Sequence, residues 1–384
     1  MRFEAVIDQP EIKQQLREMV QQNRLSHALL FLSKEGAGGL PLALAFASYV
    51  VCERAAAEGL KDACGTCAGC TKSASLVHPD IHFSYPVIPR KPGDKPVSTD
   101  YISDWREFIR SNPYGNLYDW LQSIRAENKQ GNITAEECND IIRKLNLKTF
   151  ESRYKVLVMW MPELLGKEGN KLLKLIEEPP ANTLFLLVAE NEALILPTIL
   201  SRCQLVKIPQ LSDQAVYNQL VNGMGVPEEK AHQVAAISEG NFREAKQQLE
   251  HAEDDWQALV REWLNCILKN GPVALVKWIE EVSKLGREKQ KQFLRYFTHL
   301  LEQSLRIRIL GENSAWAQNL PPAERDFILR INKLSGIEQQ EAIVALLDQT
   351  AYYIERNANA KMLFHAVSIK LAHLLRDRTR VSVW

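Results

Sequence analysis

Ala28-Leu29-Leu30-Phe31-Leu32, followed by Ser33-Lys34-Glu35-Gly36-Ala37-Gly38-Gly39-Leu40, is the stretch on which the fold turns. The apolar run reads as a buried strand, the glycines as a tight loop, and the Ala/Leu-rich segment Pro41 to Val51 as a helix with Pro41 in its first turn. Strand, glycine loop, helix is the order of a nucleotide-binding βα unit. A working phosphate loop reads G-x-x-x-x-G-K-[ST]: backbone N–H groups cradle phosphates, the lysine reaches the β/γ-phosphates, and the hydroxyl holds Mg²⁺. Here Gly38 keeps the second glycine, but Ser33 stands at the first, Gly39 at the lysine and Leu40 at the hydroxyl. Leucine cannot hold magnesium and glycine brings no charge to a γ-phosphate. Lys34 and Glu35 precede the turn that Gly36 opens, so neither is a placed substitute. Taken by itself, the window also fits a glycine-rich turn that binds nothing.

Working outward, Pro10 to Asn23 has helical spacing, with Ile12, Leu16 and Met19 on one face. Tyr154 to Met159 and Thr183 to Ala189 read as further strands, and Asn170 to Glu178 as a helix stopped by Pro179-Pro180. Strands alternating with helices predict an α/β domain, a parallel sheet covered on both faces, over residues 1–209. From Ser212 no strong strand follows. Short helices make a small helical unit over 210–252, and longer amphipathic helices, broken at Gly271-Pro272, Gly311 and Pro321-Pro322, make an all-helical domain over 253–384. The segment of about 87–131 fits none of this: Pro86, Pro89, Pro92, Pro96 and Pro113 mix with aromatics in a long inserted loop with one helix around Ser103 to Ser111.

At 384 residues the chain exceeds one hydrophobic core, which agrees with two or three domains. Lys and Arg together number 47 and Asp and Glu 47, so no global field pulls the protein toward nucleic acid or an anionic membrane. Met1 to Asp8 lacks the pattern of a signal peptide, and the longest apolar run, Leu40 to Cys52, is too short to cross a bilayer. A cytosolic, reducing setting is therefore expected, in which seven cysteines serve as metal ligands or free thiols rather than disulfides.

Cys64-Gly-Thr-Cys67-Ala-Gly-Cys70 sets three thiols at C-x₂-C-x₂-C spacing, and Cys52 lies twelve residues upstream. Four thiolates can close a tetrahedral Zn²⁺ site with no position left for water, so the implied metal is structural. Free surface thiols and an iron–sulfur cluster are the competing readings of the same spacing. Cys138, Cys203 and Cys266 are isolated and read as buried thiols; His78 and His82 lie nearby, but four cysteines leave them no vacancy.

Several features coincide in order: Arg24-Leu25-Ser26-His27-Ala28 entering the first strand, the defective glycine loop, the four cysteines followed by His78-Pro79-Asp80, the run Asn170-Lys-Leu-Leu-Lys-Leu-Ile-Glu-Glu-Pro-Pro180, and Ser201-Arg202-Cys203. Together they resemble the bacterial DNA polymerase III clamp-loader family, and within it the delta-prime subunits. The resemblance runs from Met1 to about Pro209 with a gap at the insertion, and continues more weakly to the C-terminus. It implies an AAA+-like module with an inserted zinc module (52–70), a helical lid (210–252) and an all-α collar (253–384). Clamp loaders of this family are five-subunit rings that use ATP to open a sliding clamp and place it on primed DNA.

Motor subunits of the family, gamma and tau, keep the loop lysine and an Asp-Glu pair after the second strand. Here that strand runs Val156-Leu157-Val158-Met159-Trp160-Met161-Pro162-Glu163, where Glu163 comes late and is the only nearby carboxylate. Magnesium and the attacking water both lack their handlers. The resemblance therefore implies a non-catalytic subunit, with gamma or tau and delta as partners, the sliding clamp and primer-template DNA reached through the assembly, and no membrane. Arg202, between Ser201 and Cys203, is implied to be an arginine finger toward a neighbour's γ-phosphate. Arg243 sits where motor subunits carry a sensor arginine, and is read as a relic or a structural ion-pair partner. Glu177 and Glu178 read as a solvated helix end.

Two other readings stand beside this one. A gamma/tau-type ATPase motor with an unusual ATP site would turn over nucleotide alone, and a free-standing zinc-bearing DNA-binding module would bind DNA in a salt-dependent way. The sequence leaves residual nucleotide binding open. In the insertion, Arg90, Lys91, Lys95, Tyr101, Trp105, Arg106, Tyr114, Tyr118 and Trp120 can make a partner or single-strand DNA surface, although such aromatics more often pin a long loop to its own domain.

Overall fold

The computed structural model describes residues 1–91, 93–126, 129–250, 256–312, 314, 317, 322–356 and 358–377; Pro92 and Pro321 of the predicted proline breaks lie outside them. The chain divides into two compact units, Met1–Glu250 and His251–Trp384.

The first unit holds a five-stranded sheet in the order β2-β3-β4-β1-β5, with β1 Ala28–Ser33, β2 Ile81–Ser84, β3 Lys155–Trp160, β4 Thr183–Ala189 and β5 Gln204–Ile208. Every pairing is parallel, with Ala28 opposite Phe185 and Leu29 opposite Gln204. Alternation along each strand explains why the central runs are apolar throughout. Leu29, Phe31, Val156, Val158, Leu184 and Leu186 enter one core; Leu30, Leu157, Met159, Phe185 and Leu187 enter another on the opposite face.

The first core is built around α2, Gly39–Val50, every residue of which is buried. A helix apolar all round needs cover all round. It gets it from β1, β3 and β4, and from α1 (Pro10–Gln21) and α3 (Ala68–Ala74). The second core lies under α6 (Ala135–Leu145), α7 (Leu173–Glu177) and α8 (Pro197–Leu200). A third cluster joins α9 (Asp213–Asn218), α10 (Glu228–Ser238) and α11 (Phe242–Glu250) to Ile7 and Tyr114.

Two strands, β2 and β5, are absent from the sequence reading. β2 has only four residues, and β5 is an edge strand exposed at Gln204, Leu205 and Lys207, so neither carries an apolar run. The helix predicted over Asn170 to Glu178 is also corrected: Pro162–Leu172 is a 3₁₀ stretch kinked at Gly166 (φ 51°), and α-helix begins only at Leu173. The insertion holds more structure than a loop with one helix. A 3₁₀ turn, Ser98–Tyr101, leads into α4 (Ile102–Ser111), then α5 (Leu117–Ser123) follows, and the ends are clasped by an antiparallel bridge between Val87 and Asn132.

Among the described residues the second unit is helical, with helices Trp256–Asn265, Pro272–Val282, Arg287–Leu310, Pro322–Leu334, Ile337–Glu355 and Ala360–Ala372. Its core is centred on Trp263 and Trp278, stacked at 4.9 Å, with Phe293 and Phe364 against them. Gly271 (φ 79°) and Gly311 (φ 91°) take backbone conformations that favour glycine at two of the predicted breaks. No helix among the described residues is long and apolar enough to cross a membrane.

Candidate functional site

The glycine loop joins β1 to α2. Gly36 (φ 71°) and Gly38 (φ 97°) take the left-handed conformations that the sharp turn needs. The space over the loop is lined by Ser33, Gly38, Gly39, Tyr114, Trp160 and Glu190 among others, and amounts to about 20 Å³. That is room for about one water molecule.

Each departure from the phosphate-loop pattern has a local counterpart. Ser33 Oγ lies 2.3 Å from where a Cβ on Gly39 would be, so a side chain at 39 obliges Ser33 to turn aside. Tyr114 Cε1 lies 3.0 Å from where a Cβ on Gly38 would be. Its hydroxyl accepts a hydrogen bond from Ile7 N at 2.8 Å, and burial pushes the phenol pKa up. Leu40 is buried in the core beneath. Trp160, at the end of β3, packs on Trp105 (5.4 Å) and Phe108 (5.9 Å) of the insertion.

Glu163 is spent on the fold. Its Oε1 accepts from the backbone N–H groups of Glu190 (2.6 Å) and Asn191 (2.9 Å), fixing the turn after β4. Burial pushes its pKa up, partly offset by those two bonds.

Arg243 on α11 is 1% exposed and reaches both the glycine loop and the insertion. Its Nε and Nη2 donate to Asp119 at 2.6 and 2.7 Å, and its Nη1 to Glu35 at 3.1 Å. Glu35 also accepts from Asn116 Nδ2 (2.8 Å) and Asn241 Nδ2 (3.3 Å). Of the two options for Arg243 in the sequence, the structure has the ion-pair partner. Glu35 and Asp119 are residues the sequence reading missed. Asn116 and Asp119 do form a legible capping box at the start of α5. Nothing local links that box to an arginine 124 residues away.

The insertion's aromatics are turned inward. Tyr85 stacks on Trp105 at 4.1 Å, Trp120 meets Tyr85 edge-on at 5.2 Å, and Trp120 Nε1 donates to Pro86 O at 2.7 Å. Tyr101 is buried with Arg90 over its ring at 4.6 Å, whereas Tyr118 and Arg106 are half-buried and Lys91 and Lys95 exposed.

The four cysteine sulfurs, from Cys52 after α2 and from Cys64, Cys67 and Cys70, lie within 4.8 Å of one another. Cys64 and Cys70 Sγ are 3.8 Å apart. A tetrahedron with Zn–S bonds of about 2.3 Å has edges of about 3.8 Å, so the cluster is compatible with a structural zinc site. Backbone N–H groups of Cys64, Cys67 and Cys70 point at the sulfurs of Cys52 (3.3 Å), Cys64 (3.4 Å) and Cys67 (3.4 Å). Such bonds favour thiolates. The N–H groups of Thr66 and Cys67 bring the Cys64 thiol down to about 6, while burial pushes Cys52 and Cys70 up. Cys138 and Cys266 are buried and Cys203 is half-buried, all outside the cluster.

His78-Pro79-Asp80 is a structural clamp. Asp80, 2% exposed, accepts from the backbone N–H groups of Phe150 (2.6 Å), Glu151 (2.7 Å) and Ser152 (2.8 Å), and its own N–H donates to His78 Nδ1 (3.1 Å). Burial alone would raise the carboxyl pKa, but the three donors outweigh it and hold it below its usual value.

Arg202 follows α8 and is about one-third exposed. Its guanidinium pairs with Glu177 at the end of α7 and donates to Thr198 O at 2.6 Å and Ser201 Oγ at 3.2 Å. Glu177 is therefore a partner to Arg202 rather than a merely solvated helix end.

A family profile described as DNA polymerase III, delta subunit, matches residues 8–212, more than half of the chain. The chain is 27% identical over 213 residues to DNA polymerase III subunit delta′ of Bacillus subtilis, covering 56% of this chain and 51% of that one. It is 28% identical over 257 residues to the tau subunit of the same organism, 65% of this chain and 38% of that one. Against delta′ of Escherichia coli it is 24% identical over 356 residues, 87% of this chain and 92% of the other. The chain thus spans about half the length, or less, of the two Bacillus relatives it matches. Among solved structures, a gamma subunit-related protein of Thermotoga maritima aligns over 96% of this chain and 100% of its own, with 14% identity and a TM-score of 0.37, too loose to argue from.

Proposed function

The chain belongs to the DNA polymerase III delta-subunit family, and from that membership we propose that it is a delta-prime-type, non-motor subunit of a clamp loader. The observation that carries the proposal is a pairing of loss and retention. The glycine loop has Gly39 and Leu40 where a working loop has lysine and hydroxyl and is roofed by Tyr114 and Trp160, while Arg202 stays partly exposed. Such a chain hydrolyses no ATP itself and gives Arg202 to the ATP site of a neighbouring gamma or tau subunit.

The Arg202–Glu177 pair does not stand against this. A partly exposed pair is worth about 0–1 kcal/mol, so giving up Glu177 costs Arg202 little, and in the transition state an arginine finger supplies roughly 10³–10⁵ in rate. The wider reading follows the same resemblance. Residues 210–252 act as a lid and 253–384 as a collar joining delta and motor subunits; the sliding clamp and primer-template DNA are met through the assembly, in the cytoplasm. Cys52, Cys64, Cys67 and Cys70 hold one structural Zn²⁺, which ties the end of α2 to the loop carrying Cys64.

The test is reconstitution with gamma or tau and delta subunits, with wild-type chain or Arg202→Ala. Assembly is expected to survive, with ATPase and clamp-loading rates lowered at least tenfold. Unchanged ATPase in a fully assembled complex rejects the finger. The likeness to tau keeps one rival in play, a motor with an unusual site, and steady ATP turnover by the isolated chain would favour it.

A further inference from the structure

Helices α9–α11 are held both by the glycine loop directly and by the insertion. Gly36 O accepts from Phe242 N at 3.2 Å, and Asn241 packs so closely on Gly36 that a Cβ there would collide with it. Further links pass through the insertion. Tyr114 meets Phe242 edge-on at 5.1 Å, Lys246 Nζ reaches Asn112 Oδ1 at 3.2 Å, and Asp119 takes Arg243 in the bidentate pair. Pro113, Tyr114 and Gly115 line the space over the loop where phosphates would lie in a working site.

We propose that the inserted segment is a built-in stand-in for a bound nucleotide: Pro113–Gly115 fill the phosphate space and the carboxylates of Asp119 and Glu35 engage Arg243, fixing α9–α11 in one position without ligand. The chemistry supports the exchange. A carboxylate presents two oxygens to a guanidinium fork as a phosphate does, and with the arginine almost wholly out of water such bonds are strong. Glu35 lies on the glycine loop, Asp119 on the insertion and Arg243 on α11, so one cation ties three segments together. That Arg243 stands in the place of a sensor arginine comes from the clamp-loader resemblance, while the contacts that carry the inference all lie in one chain.

The experiment uses the full chain alone. Amide hydrogen exchange of residues 242–249 is followed with and without MgATP, in wild type and in Asp119→Asn. In wild type, saturating MgATP is expected to leave exchange unchanged. Asp119→Asn, which keeps the side-chain size and one acceptor, is expected to speed exchange there at least tenfold. A double-mutant cycle with Arg243→Met completes the set, the two changes together costing little more than either alone. Slower exchange of 242–249 on adding MgATP to wild type overturns the proposal, and this arm stands even if the variants fold poorly. Strictly additive effects with unchanged exchange overturn it as well.

Discussion

Arg243 and Asp119, 124 residues apart, meet in two parallel N–H···O bonds of 2.6 and 2.7 Å with the guanidinium 1% exposed. A cation so enclosed cannot exchange its partners for water at low cost. Arg243→Ala takes from Asp119 and Glu35 the buried guanidinium they share and is expected to destabilise the first unit by about 3 kcal/mol. Urea unfolding of the full chain measures it; a loss below 1 kcal/mol would mean that the pair behaves as a surface bridge.

Ser33 and Gly39 make a coupled prediction. Restoring the lysine alone, Gly39→Lys, drives its Cβ into Ser33 Oγ and is expected to lower stability without conferring ATP binding. Adding Ser33→Gly relieves the collision. The double variant is expected to regain the stability lost, yet Tyr114 still roofs the loop, so calorimetric ATP binding should remain absent unless Tyr114→Ala is added.

Asp80 carries a pH signature. Its folded pKa is depressed, so its contribution is full above the unfolded value of about 3.9 and is lost as pH falls through the folded value. Asp80→Ala removes an acceptor shared by three backbone N–H groups and is expected to cost about 3 kcal/mol at pH 7. In urea titrations from pH 7 to pH 2.5, the gap between wild type and variant should narrow only at the acid end. A gap constant with pH would show that the carboxylate's charge is not what the N–H groups read.

Zinc is testable by composition. The chain purified without added metal is expected to carry one zinc, to lose it to a strong chelator, and to lose it on Cys67→Ser. Mass spectrometry of the metal decides this, and a visible charge-transfer absorption would point to iron and sulfide instead. On removal, the first structure to loosen should be residues 52–70 together with the N-terminal turn, whose Phe3 and Glu4 N–H groups are held by Asp62 at 2.9 Å.

Trp105 tests what the insertion does for the fold. It touches Tyr85, Phe108, Trp120 and Trp160, so Trp105→Ala is expected to cost about 3–5 kcal/mol. An effect below 1 kcal/mol would mean that the aromatic cluster is not part of the folding core.

The parts legible in the sequence were those whose signal is local. β1, β3 and β4 are apolar on both faces and announce themselves; β2 and β5 are short or half-exposed and do not. The cysteine spacing brought together all four sulfurs that now cluster. The loss of lysine and hydroxyl from the glycine loop was plain at Gly39 and Leu40. What fills the loop was not, because Tyr114 comes from the turn between α4 and α5, some seventy-five residues further along the chain. Glu35 shows the limit well. By spacing it lies too early to touch a phosphate, and so seemed idle, while in the fold it faces an arginine some two hundred residues further on.

The strand order has a consequence for synthesis. Among the described residues β1 pairs with β4 and β5 alone, so its two edges, completed near residue 33, find no neighbour there until residues beyond 183 exist. At translation rates of roughly 5–20 residues per second that is a wait of about 8–30 s with an apolar strand unpaired, and the insertion lengthens it. Leu29 to Leu32 are therefore expected to need shielding from water and from other chains during that interval.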